Sequence, residues 1–186
     1  MICFDPPPEW VCWSPGLAEA DYARVSLPDG NPDAGVLVEV MRDLDDKALA
    51  DGTVQLCGLW VPPDSGGLPV ATLLIQTLGR TEPVDEAYQW YAEQIAEPPP
   101  MPGCFYSDYE PFESEVDLGP VLGQAVRFSD EESRLVTMVR YTVFPEVKDE
   151  VVMFEFQTLD LQYAPAVDDQ SALILNSAFY LDPAAA

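Results

Sequence analysis

Two neighbouring runs decide the fold: Arg134-Leu-Val-Thr-Met-Val-Arg-Tyr-Thr-Val-Phe144 and Val151-Val-Met-Phe-Glu-Phe-Gln-Thr-Leu159. Both are rich in β-branched and aromatic residues, which favour strands, and the short segment between them suits a hairpin connection. When the end of the first run pairs with the start of the second, Arg140 lies opposite Glu155, as in a cross-strand ion pair. The same register places apolar side chains on one face: Leu135, Val139, Tyr141, Val143, Val152, Phe154 and Phe156. We therefore predict an antiparallel hairpin with one face in the core.

Strand-like composition continues on the N-terminal side of this hairpin. It recurs in five runs: Trp10–Trp13, Val36–Leu44, Thr53–Val61, Val70–Leu78 and Val121–Ser129. The segment 62–69 is full of turn residues, so we predict a second hairpin between the third and fourth of these runs.

Two segments have the features of helices. Pro83–Glu97 has apolar residues at helical spacing, acidic residues in its first turn, a candidate N-cap at Thr81, and prolines directly after it. The second predicted helix spans about Ala166–Leu181 and ends before Asp182-Pro183. Hairpins and helices in this order predict an α+β fold, with an antiparallel β-sheet of about six or seven strands flanked by helices in an α/β/α sandwich.

Length and composition fit one globular domain. The chain has 186 residues, of which 48% are apolar and 22% charged, and this balance is typical of a folded protein. We expect a single domain over residues 1–186, with an irregular segment at 1–32, an α+β core at 33–181 and a tail at 182–186.

The charge balance is strongly acidic. Aspartate and glutamate total 33 against 8 lysines and arginines, which gives a net charge of −25. Such a field repels phosphate backbones and attracts basic proteins. We predict a basic protein partner and no nucleic acid; the alternative is that the acidity serves solubility alone.

Several kinds of chemistry lack their usual residues. Histidine is absent, and with it the commonest general base and zinc ligand. The four cysteines have no C-x-x-C spacing, and Cys57 lies in an apolar run that suits the core. The acidic run Asp43, Asp45, Asp46 lacks the glycine and distal glutamate of a calcium loop, so we predict a solvated turn there. We predict no catalytic residue, no metal ligand and no cofactor.

The N-terminal sequence predicts a cytoplasmic protein. It has neither the basic segment nor the apolar core of a signal peptide, and no apolar run in the chain reaches the roughly 18 residues that a membrane span needs. We therefore expect no membrane contact. The composition, low in lysine and rich in alanine, proline and aspartate, is typical of a bacterium with a GC-rich genome.

The C-terminal half resembles a known family. The segments Arg140–Pro145 and Val151–Thr158, followed by a terminal helix containing Ile174–Phe179, are similar to the PsbP-like fold, which includes the Ran-guanine-nucleotide-release-factor proteins. The resemblance implies an antiparallel sheet between helices, used as an adaptor or assembly-factor surface. It implies no catalytic residue.

One segment combines aromatic and acidic side chains. Phe105–Glu115 follows a proline-rich break, so we predict a surface loop, where binding residues concentrate. We predict that a partner contacts Tyr106, Tyr109, Glu110 and Phe112, because aromatic area ringed by charge suits a desolvated contact. The alternative is that these aromatic rings only cover the sheet.

These observations favour a non-catalytic protein-binding module, of the adaptor, chaperone or immunity type, that presents an acidic surface to a basic protein. The alternatives are a carboxylate-based, metal-dependent enzyme and a small-molecule-binding domain.

Overall fold

A computed structural model describes residues 2–18, 21–22, 34–100 and 102–180. The predicted tail at 182–186 lies outside these residues, as do 1, 19–20 and 23–32 of the predicted irregular segment. The elements in chain order are β1 (Ile2–Cys3), β2 (Trp10–Trp13), α1 (Ala34–Asp51), β3 (Val54–Trp60), β4 (Ala71–Gly79), α2 (Val84–Gln94), β5 (Phe105–Val116), β6 (Gly119–Ser129), β7 (Leu135–Val143), β8 (Glu150–Thr158), α3 (Ala164–Ser177) and β9 (Phe179–Tyr180).

A seven-stranded sheet forms the centre of the described structure. Its strand order is β2-β3-β4-β8-β7-β6-β5, and every neighbouring pair is antiparallel. β1 and β9 form a separate two-stranded ribbon. The predicted α+β fold with an antiparallel sheet is confirmed.

The hairpin that decides the fold has the predicted register. In the β7–β8 pair Val143 lies opposite Val152, and Arg140 lies opposite Glu155. The Nε of Arg140 donates to Oε2 of Glu155 at 2.8 Å. The second predicted hairpin, between the runs Thr53–Val61 and Val70–Leu78, is also confirmed and consists of β3 and β4.

Helices cover both faces of the sheet. α3 packs on the face formed by the apolar side chains of β7 and β8 that the sequence predicts to lie together. α1 packs on the opposite face over β2 and β3. α2 also packs on that opposite face, where Ala87 meets Leu122, Phe144 and Val151. The sandwich places α1 and α2 in one outer layer and α3 in the other.

The prediction of a strand at Val36–Leu44 is wrong, because these residues belong to α1. The buried side chains are Leu37, Met41, Leu44 and Ala48, whose spacing of four, three and four residues is that of a helix. The predicted solvated turn at Asp43, Asp45 and Asp46 is wrong for the same reason. Asp45 is buried and accepts hydrogen bonds from the Trp13 indole, the Gly16 N–H and the Tyr22 hydroxyl.

Three further boundaries differ from the predictions. The expected loop at Phe105–Glu115 is strand β5, whose side chains alternate between the two faces of the sheet. Helix α3 ends at Ser177, because Ala178 is extended and the next residues pair with β1. The N-cap position of α2 is Pro83 rather than Thr81, and no side chain caps the helix there.

Candidate protein-binding surface

Strand β5 forms one edge of the sheet. It pairs with β6 along one side, and within the described residues no strand pairs with its other side. Phe144 N–H donates to the Pro120 carbonyl at 3.0 Å, so Pro120 faces β7 and its partner Glu115 turns its backbone groups outward. The backbone groups of a strand point to alternate sides, so those of Pro111, four residues before Glu115, also point away from β6. Proline has no N–H to donate there. Pro111 therefore leaves this edge with one backbone donor fewer for the addition of another strand.

The two predicted tyrosine contacts point into the protein. Tyr106 and Tyr109 pack against a buried cluster on the α2 side of the sheet, with their ring centroids 6.1 Å apart. Their hydroxyls donate to the carbonyls of Pro99 and Ile95, each at 2.7 Å. Burial raises the pKa of both hydroxyls. The structure therefore brings these two residues together, where they fasten the connection between α2 and β5.

The other two predicted contacts lie on the opposite face of β5. The Phe112 ring covers Gly123, where an added Cβ would come within 2.1 Å of the ring, and its centroid lies 5.8 Å from that of Tyr141. Glu110 is exposed. Of the four predicted residues, Glu110 alone is fully at the surface, and the three rings are half-buried. An aromatic ring that the prediction missed, Phe105, is 77% exposed at the start of the strand.

One stretch of the chain carries many carboxylates and no cation of its own. Residues 81–126, which contain α2, β5 and most of β6, include no lysine or arginine. They include ten acidic residues, all exposed, which we call the acidic side: Glu82, Asp85, Glu86, Glu93, Glu97, Asp108, Glu110, Glu113, Glu115 and Asp117. The sequence analysis missed this grouping because it weighed charge over the whole chain; a count of cations in a moving window would have found it.

The ion pairs of the described residues lie elsewhere. Lysine and arginine meet Asp43, Asp130, Glu132 and Glu155, none of which belongs to the acidic side. The ten carboxylates therefore carry negative charge outside these ion pairs, with Arg80 near Glu82 and Arg127 opposite Asp108 as flanking cations.

A cleft of about 500 Å³ lies where the acidic side reaches the end of the sheet. Its walls are the β5–β6 turn, the connection between β7 and β8, and the residues around β9. Three carboxylates line it, those of Glu115, Asp117 and Glu146. Two of its apolar side chains reach solvent: Val147 is 76% exposed and Phe179 is 47% exposed.

Defined contacts hold the walls of this cleft. The Arg80 guanidinium donates to the carbonyls of Pro145 at 3.3 Å and Lys148 at 2.9 Å, which fixes the β7–β8 connection. Gly119 has φ +142°, and an added Cβ there would come within 2.4 Å of the Phe144 carbonyl oxygen. The β5–β6 turn therefore approaches the end of β7 as closely as it does only because residue 119 is glycine.

The β9 wall is tied to β8. The Tyr180 hydroxyl donates to Glu150 at 2.6 Å, and burial together with this carboxylate raises the pKa of Tyr180. The Lys148 ammonium lies 5.8 Å from the centroid of the Tyr180 ring. The three walls are thus connected to one another and to the sheet.

The described residues form neither a metal site nor a disulfide. In the described ranges, no group of three or more acidic or cysteine side chains could hold a metal ion. The four cysteines, Cys3, Cys12, Cys57 and Cys104, are free thiols. Cys57 is fully buried, as predicted, and burial raises the pKa values of Cys12 and Cys57 to about 12. No helix in the described part of the chain is long and apolar enough to cross a bilayer.

Comparison with known proteins shows a shared fold. No family model matches the chain, and no curated protein does. A solved structure that matches is that of LpqN, involved in cell envelope biogenesis of Mycobacterium tuberculosis, with a TM-score of 0.52 and 13% identity over 95% of this chain and 81% of LpqN. At this identity the similarity shows the fold alone. The resemblance to the PsbP-like family is not confirmed, and the cytoplasmic location stays a prediction.

Proposed function

We propose that this chain is a non-catalytic protein-binding module that holds a basic protein against its acidic side. The observation that carries the proposal is the set of ten exposed carboxylates over residues 81–126, a range without lysine or arginine. A partner that supplies lysine or arginine would relieve the mutual repulsion of these carboxylates and gain attraction to them.

The acidity acts in two ways on such a partner. Exposed charges attract over the Debye length of about 8 Å at physiological salt, so carboxylates on one side steer a basic protein toward that side. Each exposed pair adds little, about 0 to 1 kcal/mol, and affinity therefore depends on many contacts made together. The acidic side offers that number over α2, both faces of the edge strand β5 and the β5–β6 turn.

Strand β5 is the proposed centre of the contact. Glu110 meets the partner directly, and the exposed ring of Phe105 adds apolar area at the start of the same strand. Tyr106, Tyr109 and Phe112 support the contact by holding the strand, and their exposed edges contribute area. Because Pro111 leaves this edge with one backbone donor fewer, we expect recognition through side chains, as in an adaptor or chaperone surface.

The structural neighbour suggests where to seek the partner. LpqN is involved in cell envelope biogenesis, and a basic protein of the envelope is a candidate to test first. Cytoplasmic basic proteins, the expectation from the N-terminal sequence, form the comparison set.

A matched pair of triple variants tests the proposal. The first neutralises three of the four β5 carboxylates (Glu110→Gln, Glu113→Gln, Glu115→Gln). The control removes the same charge from exposed positions off the acidic side: Glu39→Gln, Asp46→Asn and Asp169→Asn. Affinity for a fluorescent lysine-rich peptide is measured at low and at physiological salt.

We expect the β5 variant to lose several-fold in affinity and the control to bind as the unmodified protein does. Equal losses in both variants would mean that net charge alone attracts the peptide, and the proposed surface would be rejected. No binding by the unmodified protein at low salt would reject the function itself.

A further inference from the structure

We propose that the cleft at the end of the acidic side receives an apolar side chain of the partner that is flanked by lysine or arginine. The inference rests on the proposed function and adds a chemical requirement to it: the partner needs an apolar anchor within its basic segment.

The apolar requirement comes from the lining of the cleft. Val147 and Phe179 are 76% and 47% exposed, and the half-buried Val116 and the buried Leu118 also line the cleft. An apolar side chain placed against these residues would be removed from water, which favours its binding. A volume of about 500 Å³ is within the range of sites that take small ligands, so it accommodates a leucine or phenylalanine side chain.

The basic requirement comes from the rim. The carboxylates of Glu115, Asp117 and Glu146 surround the apolar lining. Two cations lie beside the cleft and are engaged within the fold: the Lys148 ammonium lies over the Tyr180 ring, and the Arg80 guanidinium donates to the carbonyls of Pro145 and Lys148. An acidic or neutral segment would leave three carboxylates close to an apolar contact without counter-charge, whereas lysine or arginine on either side of the anchor would pair with them.

The cleft is preorganised, because defined contacts hold its walls. Arg80 fixes the β7–β8 connection, Gly119 allows the β5–β6 turn to pack on it, and Tyr180 ties β9 to β8. A preorganised site loses less conformational entropy when a ligand binds, so a single anchor can contribute measurably.

Two peptides and two variants test the inference. The peptides carry the same number of lysines and differ in one central residue, leucine or serine. The variants are Val147→Ser in the cleft and Leu173→Ser on α3, where an equally apolar side chain is 59% exposed away from the cleft. Both positions are at the surface, and unchanged unfolding midpoints would confirm that each variant folds.

We expect the unmodified protein to bind the leucine peptide about tenfold more tightly than the serine peptide, the effect of burying roughly one apolar side chain. Val147→Ser should reduce that preference to about threefold or less, and Leu173→Ser should leave it unchanged. The cleft would be rejected if both variants showed the same preference for the leucine peptide, or if the unmodified protein showed none. If both peptides still bound in a salt-dependent way, the proposed function would stand without the cleft. If neither peptide binds, the function and the cleft fail together.

Discussion

Phe112→Ala tests whether the aromatic residues of β5 hold the strand in place. The ring covers Gly123 and meets Tyr141 edge-on, with 5.8 Å between centroids. Removing a fully buried phenylalanine costs about 3–5 kcal/mol. Phe112 is half-buried on an edge strand, so we expect the free energy of unfolding to fall by about 2 kcal/mol. Glu110→Ala, two residues away on the same face and exposed, should change it by less than about 0.5 kcal/mol.

Urea unfolding measures both variants, and a second substitution isolates the contact. The nearest atoms to a Cβ at Gly123 all belong to the Phe112 ring, at 2.1 to 2.7 Å. Gly123→Ala should therefore destabilise the unmodified protein clearly and the Phe112→Ala background much less, as expected of residues in direct contact. If Phe112→Ala leaves stability unchanged, or if the two substitutions add independently, the ring does not hold the strand and our description of β5 is wrong.

Three further predictions concern the rest of the molecule. Asp45→Ala should lower the free energy of unfolding, measured in urea, by about 3 kcal/mol or more. The substitution leaves three buried or half-buried donors without an acceptor, including the Trp13 indole. A loss below about 1 kcal/mol would show that these hydrogen bonds to Asp45 contribute little. Burial raises the pKa of Cys57 from about 9 to about 12, so its thiol ionises first in the unfolded chain and stability should fall as the pH rises between these values. Cys57→Ala should make the decrease of the unfolding free energy with pH shallower by up to about 1.4 kcal/mol per pH unit. An unchanged slope in this variant would contradict the raised pKa of Cys57. The thermal midpoint should rise as sodium chloride is increased from low to physiological concentrations, because salt screens the repulsion within a chain of net charge −25. A midpoint that falls would show that attractive charge pairs dominate.

The sequence predicts the sheet well where two signals agree. In β7 and β8 the apolar alternation and the Arg140–Glu155 pair both indicate the same register, which the structure has. At Val36–Leu44 the signals conflict. Valines at alternate positions favour a strand, but the helical spacing becomes decisive only when Ala48, beyond that window, is included. Helix α1 shows how a short window confuses period two with period 3.6.

The candidate surface is harder to predict, because it depends on contacts between distant segments. Pro111 and the acidic residues of β5 favour a loop when they are considered locally, yet an edge strand tolerates both. The cleft joins residues near 117, 147 and 179, and no local pattern indicates that they meet. The predicted docking segment contains one fully exposed contact, Glu110, and three rings whose partners in the fold only the structure shows.

The central claim is that a basic partner lies against the acidic side. Zero-length cross-linking with a carbodiimide joins lysine amines to carboxylates in contact, and mass spectrometry identifies the modified residues. With a lysine-rich peptide that contains one central leucine, we predict cross-links concentrated on Glu110, Glu113, Glu115 and Asp117, and their loss at high salt. Cross-links spread evenly over exposed acids, or concentrated on α1 and α3 at Glu39 and Asp169, would contradict the claim.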